Sequence, residues 1–375
     1  MKSITVLPSL KGARVLVRVD YNVPIAGGRI RDTRRITTSF DTINVILKKG
    51  GTPILIAHLG DSMASLRPVA TFLSKTYKIV FVTHDVTDSH IASIIDQVPK
   101  GTIVLLENIR RYPQEGKNGI AFAKTLAKLG SYYVNDAFSV CHRKHASVVS
   151  VPKYLPSFAG VQLQKEITAL SSVLNNKKHP FVFILGGAKF DTKIPLLKRF
   201  STMADNIVIA GAIMNTFYKE AGFVIGKSVT EEGFSKQIKP LLNNPAILLP
   251  VDCLVTRKGK TVAVTADEVE QQDVIVDIGP QSVALIKEKI MKAKLVVWNG
   301  PTGWYEKGFV KATTDLAKAC IASKAHTIIG GGDTGAVIEK IIKESDTKKI
   351  FVSTGGGATL DYLANGTLPG ITALK

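Results

Sequence analysis

Lys189 stands directly after Gly186, Gly187 and Ala188, and Lys193 follows four residues later. At that spacing both ammonium groups are expected on one face near a helix N-terminus, where they repel unless an anion lies between them. A phosphate chain would resolve the conflict; two exposed lysines on a solvated helix are the alternative. Three more glycine-rich turns follow apolar runs, at 299–303, 330–334 and 354–358. Glycine lets backbone N–H groups approach a ligand, and a helix starting just beyond adds the positive end of its dipole. Four such turns imply a nucleotide cleft. Asp333, after three glycines, is the magnesium candidate, because a hard cation on a nucleotide takes oxygen donors and one or two carboxylates. Helix N-capping is the competing role for the same side chain.

The first half carries its polar residues just after predicted strands, where open parallel sheets bind ligands. Asp20 and Asn22 follow the first strand, His58 the next, then Glu107, Asn108 and Arg110, and finally Asn135, Asp136, His142 and Arg143. Positioning them requires alternating strands and helices, the pattern of parallel sheets covered by helices. The strand candidates are 14–19, 52–58, 79–82, 102–106 and 131–134, then 181–185, 206–210, 246–250, 295–298, 326–329 and 350–353. Helices are predicted over 37–49, closed by Gly50 and Gly51, from a Ser65 cap to about 77, and from an Asn118 cap to 129. The fold class is α/β, with two similar layered domains. The connector is 151–156 followed by an amphipathic stretch over 162–174, a linking helix able to carry a hinge.

Composition bounds the rest. A chain of 375 residues exceeds what one hydrophobic core usually supports. Cys141, Cys253 and Cys320 match no zinc or redox spacing, so buried reduced thiols in a cytoplasmic protein are expected. No apolar run reaches membrane-spanning length. The net charge is +19, of which residues 1–153 hold +12 from 22 Lys plus Arg against 10 Asp plus Glu. Ten of the twelve arginines lie there, which suits a pocket for a small polyanion. Nucleic acid is not expected as the main partner, because basic low-complexity runs and interleaved aromatics are absent. Gly226, Lys227 and Ser228 imitate the end of a P-loop, but Gly222 leaves three intervening residues where four are required.

Nine segments run in order along the chain. The first five are Arg18 Val19 Asp20 Tyr21 Asn22 Val23 Pro24; His58 Leu59 Gly60; Leu106 Glu107 Asn108 Ile109 Arg110; Tyr133 Val134 Asn135 Asp136 Ala137 Phe138; and His142 Arg143. Gly186 Gly187 Ala188 Lys189, Trp298 Asn299 Gly300 Pro301, Gly330 Gly331 Gly332 Asp333 Thr334 and Ser353 Thr354 Gly355 Gly356 Gly357 Ala358 complete the set. Taken together, these segments resemble the phosphoglycerate kinase family along nearly the whole chain. The resemblance implies two Rossmann-like α/β/α domains. Residues 1–153, with a returning C-terminal segment of about 361–375, would bind 3-phosphoglycerate; 154–175 would link; and 176–360 would bind magnesium ATP or ADP. Carried over by position, Asp20, Asn22, Arg35, His58, Arg110, His142 and Arg143 would hold the acceptor. Gly187, Lys189, Lys193, Gly211, Asn299, Pro301, Glu306, Gly330, Gly331, Gly332, Asp333, Thr334, Gly355 and Gly356 would hold the nucleotide. Arg35, Lys189 and Lys193 would be catalytic, and Asp333 would bind magnesium.

The implied reaction moves the terminal phosphoryl of ATP to a carboxylate, so its barrier is one of positioning and neutralising charge. Neither a protein nucleophile nor a general base is required. A monomer acting on small molecules, with closure about the linking helix, is the expectation. Several positions depart from the family pattern. Asp61 and Ser62 stand where arginine and proline are usual, Phe190 Asp191 Thr192 follow Lys189, Ala210 and Ala212 flank Gly211, and Ile275 replaces a glycine. These keep open an alternative, a catalytically impaired nucleotide-binding relative with a regulatory or polyanion-binding role.

Overall fold

The computed structural model describes residues 1–375 except 89, 176–177, 331, 343–348 and 375, with the backbone alone at 333, 336, 339 and 340. The chain divides into two compact units, Met1–Thr168 with Asn365–Lys375, and Ala169–Ala364. The division falls inside the helix Val161–Leu174.

The first unit contains β1 (Arg14–Arg18), β2 (Ile25–Ala26), β3 (Arg29–Ile30), β4 (Thr52–Ile56), β5 (Lys78–Val82), β6 (Thr102–Leu106), β7 (Tyr132–Asn135) and β8 (Ser157–Ala159). Six of them form a parallel sheet in the order β5-β6-β4-β1-β7-β8. All of β6, and β1 from Val15 onward, is buried. Such runs lack in-out alternation because helices cover both sheet faces. Strand order reverses between β1 and β7, which opens a crevice at their carboxyl ends. The C-terminal segment packs in this unit: Gly370 N–H donates to Cys141 O at 2.8 Å, and Leu368, Ile371 and Leu374 are buried.

Two local expectations are corrected here. The helix predicted over 37–49 is two pieces, Arg34–Thr37 and Phe40–Lys48, because the Ser39 hydroxyl donates to Ile36 O at 2.7 Å and competes with the helical ladder. Asn118 caps nothing. It is left-handed at φ 55°, its side chain accepts the Ser150 hydroxyl, and Gly119 opens the helix Ile120–Ala127.

The second unit contains β9 (Phe181–Leu185), β10 (Asn206–Ile209), β11 (Ile247–Leu248), β12 (Asp252–Arg257), β13 (Lys260–Thr265), β14 (Val274–Ile278), β15 (Leu295–Asn299), β16 (His326–Ile329) and β17 (Ile350–Val352). Its parallel sheet runs β11-β10-β9-β15-β16-β17, reversing between β9 and β15. An antiparallel sheet, β13-β12-β14, was not foreseen from the sequence. Its signal was present: β12 and β13 meet at Lys258 and Gly259, both at positive φ, the two-residue hairpin turn that xG dipeptides favour. Among the described residues no helix is long and apolar enough to cross a membrane.

Candidate active site

At the carboxyl end of β1 in the first unit, Arg18 is 1% exposed and held from three sides. Its Nε donates to Ser147 Oγ at 3.0 Å, Nη1 to Val19 O at 2.5 Å, and Nη2 to His58 Nδ1 at 3.1 Å. Arginine has only donors, so His58 Nδ1 accepts and the ring N–H sits on Nε2. Burial, then Arg18, Arg110 and Arg143, push the His58 pKa far down, leaving a neutral imidazole with one N–H to offer. Ser147 in turn donates its hydroxyl to Glu115 Oε1 at 2.6 Å, and its N–H to Oε2 at 2.9 Å. The result is a buried chain from Glu115 through Ser147 and Arg18 to His58. Glu115 and Ser147 escaped the sequence reading, because only the fold brings residues 115 and 147 under β1.

Around this chain lies the rest of the expected acceptor set. Asp20 accepts the Ser139 hydroxyl at 2.6 Å and pairs with Arg35 at 3.2 Å, and Arg35 also donates to Asn22 O at 3.2 Å. Asn22 Oδ1 accepts Gly60 N–H at 2.9 Å, while Arg110 donates to Gly60 O. Arg143 Nε donates to His142 Nε2 at 3.3 Å. Arg110, Arg143, His145 and Ser62 line a pocket of about 350 Å³ with Glu115 at its wall. Desolvation, reinforced by Arg143 and Arg18, lowers the His145 pKa to about 4, so this ring is neutral as well. A concave site lined by Arg110, Arg143 and a neutral His145 suits a carboxylate or phosphate.

Not every strand-end residue faces this site. Glu107 accepts from Leu66 N–H and the Ser65 hydroxyl, Asn108 clamps the 59–64 loop, and Asn135 accepts Ala137 N–H. These are scaffold. Asp136 caps the helix Val161–Leu174 through Gln162 and Leu163 N–H at 2.9 and 3.2 Å. Asp61 is likewise committed locally, accepting Met63 and Ala64 N–H at 2.8 and 3.2 Å.

The second unit holds a cleft of about 660 Å³ at the β9/β15 reversal. Gly187, Lys189, Lys193, Gly211, Asn299, Pro301, Glu306, Gly332, Thr334 and Gly356 of the expected nucleotide set all line it. The glycines divide into two kinds. A Cβ on Gly186 would lie 2.2 Å from Pro301 O, one on Gly300 2.1 Å from Gly186 O, and one on Gly211 2.4 Å from Gly187 N. These glycines let the loops after β9, β10 and β15 interlock. Gly330 makes room for the Asn299 amide, and Gly355 donates its N–H to Ser353 Oγ; neither lines the cleft. Gly332 and Gly356, at φ +87° and +50°, face open space and suit close approach by a ligand.

Lys189 and Lys193 do not share a helical face. The helix begins at Ile194 with Pro195 in its first turn, which leaves Lys193 at the end of a 3-10 turn and Lys189 exposed in the loop before it. Lys193 is 7% exposed and donates to Gly186 O at 2.7 Å. Burial lowers its pKa to about 8, against the opposing pull of Glu231 and Asp191. Gly331 and the Asp333 side chain lie outside the described residues; the backbone of Asp333 opens the helix Asp333–Ile342 between two cleft-lining neighbours, Gly332 and Thr334.

The antiparallel sheet supplies a wall, Val274 to Asp277, of which the sequence reading had singled out only Ile275, and Trp304 joins it. The P-loop imitation is accounted for here: Gly226 bridges Val274, and Ser228 Oγ accepts Ile275 N–H at 2.8 Å. Phe190, a departure from the expected pattern, is a core residue stacked edge-on against Phe217 and Phe234.

The model of the phosphoglycerate kinase family matches residues 5–366. The phosphoglycerate kinase of Dictyoglomus turgidum is 40% identical over 383 residues, covering 98% of this chain and 96% of that one. That of Azorhizobium caulinodans is 39% identical over 386 residues, covering 98% and 97%. Among solved structures, the phosphoglycerate kinase of Coxiella burnetii superposes with a TM-score of 0.83 at 34% identity, covering 99% of this chain and 98% of that chain. That of Pyrococcus horikoshii gives 0.86 at 28%, covering 100% and 98%. With two parallel-sheet units, an arginine pocket in one and a glycine-lined cleft in the other, the chain belongs to the phosphoglycerate kinase family.

Proposed function

We propose that this chain is an active phosphoglycerate kinase, transferring a phosphoryl group reversibly between ATP and the carboxylate of 3-phosphoglycerate. The observation that carries this reading is the pairing of two anion cradles on one chain, each built from loops at the carboxyl ends of strands of its own parallel sheet. In the first unit, Arg110, Arg143, His142 and the His58 Nε2–H take the acceptor's phosphate, while Asp20, Asn22 and Arg35 orient its glycerate end. In the second, Lys189, Lys193 and the glycine turns take the nucleotide phosphates and Glu306 the ribose. Magnesium, when bound with the nucleotide, would offset phosphate charge, and Asp333, whose backbone lies between two cleft-lining residues, would be the residue to hold it.

The acceptor is already an anion, so the protein's task is to hold two negative groups in line and offset their repulsion. Arg35 supplies positive charge beside the acceptor in the first unit, and Lys193 beside the nucleotide phosphates in the second. The linking helix Val161–Leu174 carries the hinge, and the enzyme works as a cytoplasmic monomer. A coupled turnover assay with magnesium ATP and 3-phosphoglycerate tests the reading. Turnover is expected in the wild type, and Arg35→Met should lower kcat by about 10³-fold, the scale of a transition-state arginine. A well-folded wild type without turnover would leave the impaired relative standing.

A further inference from the structure

A buried ammonium needs both a fixed backbone and a nearby negative charge, because burial alone favours the neutral amine. Lys193 is 7% exposed in the wall of the second unit's cleft. Gly186 O accepts one of its donors at 2.7 Å, and a Cβ on Gly187 would lie 2.8 Å from Nζ, so the ammonium is seated on the glycine turn. The Phe190 peptide sets the turn that carries it. Lys193 N–H donates to Phe190 O at 2.8 Å, closing the 3-10 turn Asp191–Lys193, while Phe190 N–H donates to Glu231 Oε1 at 3.0 Å.

Glu231 is held in turn. Its N–H donates to Thr216 Oγ1 at 3.4 Å, and the Thr230 hydroxyl donates to the same oxygen at 3.3 Å, tying this segment to the helix Gly211–Glu220. The Phe190 ring packs edge-on against Phe217 of that helix and against Phe234, on the same segment as Glu231, with centroids 5.8 and 5.0 Å away. Charge acts along the same line. Burial opposes the Lys193 ammonium; Glu231 does most to favour it, Asp191 adds to this, and Lys189 works against it. Asp191 is exposed and more strongly screened, whereas Glu231 is half-buried and does not line the cleft.

We propose that Glu231 is a positioning residue for the phosphate site: through the Phe190 peptide it fixes the turn bearing Lys193, and its carboxylate keeps that ammonium charged while the cleft is empty. A phosphate then takes over as counter-ion at a site already ordered, so less ordering is left to the ligand. The inference rests on reading Lys193 as a phosphate-binding group.

Two substitutions separate the roles, since Glu231→Gln keeps an oxygen for Phe190 N–H without the charge and Glu231→Ala keeps neither. NMR of isotope-labelled lysine side chains follows the titration of Lys193 in the whole protein, with Lys193→Met identifying its signal. The midpoint should lie at about pH 8 in wild type, at about pH 7 in Glu231→Gln, and unchanged in Glu232→Gln, whose carboxylate is committed to Lys219 at 3.2 Å. Calorimetry with inorganic tripolyphosphate reads the consequence. At about pH 6, where Lys193 is charged in every variant, Glu231→Gln should bind no more weakly than wild type and Glu231→Ala about fivefold more weakly, the scale of one hydrogen bond. The affinity of Glu231→Gln should fall above about pH 7, and that of wild type only above about pH 8. An unmoved midpoint in Glu231→Gln, or a Glu231→Ala that binds like wild type at the lower pH, would overturn the assignment. Failure of tripolyphosphate to bind the wild type would remove the phosphate reading of Lys193, and the proposal with it; neither readout depends on turnover.

Discussion

At the scale of single residues, the charged groups are held in definite protonation states by what they touch. His58 is neutral because it is buried among arginines, and Arg18 is tolerated there because Ser147 relays it to the carboxylate of Glu115. Removing the relay with Ser147→Ala should lower stability by about 1.5–3 kcal/mol, the range for a hydrogen bond to a charged group. It should also raise the KM for 3-phosphoglycerate several-fold with little change in kcat, as steady-state kinetics and a thermal melt would show. Lys193 titrates in an accessible range. With its pKa lowered to about 8, it is charged at neutral pH and loses its proton as pH rises through 8, so the nucleotide KM should climb between about pH 8 and 9.5. A flat profile there would remove Lys193 from the phosphate contacts.

At the scale of elements, the sequence marked where polar residues follow strands but not which of them face a ligand. Asp136 shows why: nothing in its local sequence reveals that helix Val161–Leu174 will present two N–H groups to it. Burial of this capping carboxyl outweighs those bonds and pushes its pKa up to about 7. Between about pH 4 and 7 the native state therefore holds a proton that the unfolded chain releases. This group adds stability as pH falls through 7 and withdraws it as pH rises. Asp136→Asn keeps the acceptor oxygen without the charge, so it should melt above wild type at pH 8, by a margin that shrinks as pH falls and closes only below about pH 4. Asp136→Ala should lose about 1 kcal/mol relative to Asp136→Asn at either pH, the worth of the cap. The lysine pair carries the same lesson, since Pro195 sets the helix start and places the two ammonium groups in different environments.

At the scale of the whole molecule, the net charge of +19 acts at a distance. Both substrates are polyanions, and a positive field raises their encounter rate. Raising salt from about 0.01 M to about 0.15 M contracts the Debye length from about 30 to about 8 Å, so kcat/KM for both substrates should fall over that range. An unchanged kcat/KM would confine the charge to local contacts.

The alternation of apolar runs with helical segments was enough to specify two parallel-sheet units, because strands buried on both faces have few other ways to be covered. The sequence also placed Asp20, His58 and Arg110 just after strands, and they stand in the loops that follow β1, β4 and β6. Tertiary structure decided what depends on distant segments meeting. It set Glu115 and Ser147 beneath Arg18, divided the glycines between loop interlocking and open approach, and brought β14 and Trp304 to the cleft. Each of these is a contact between residues far apart in the chain, and local spacing carries no record of it.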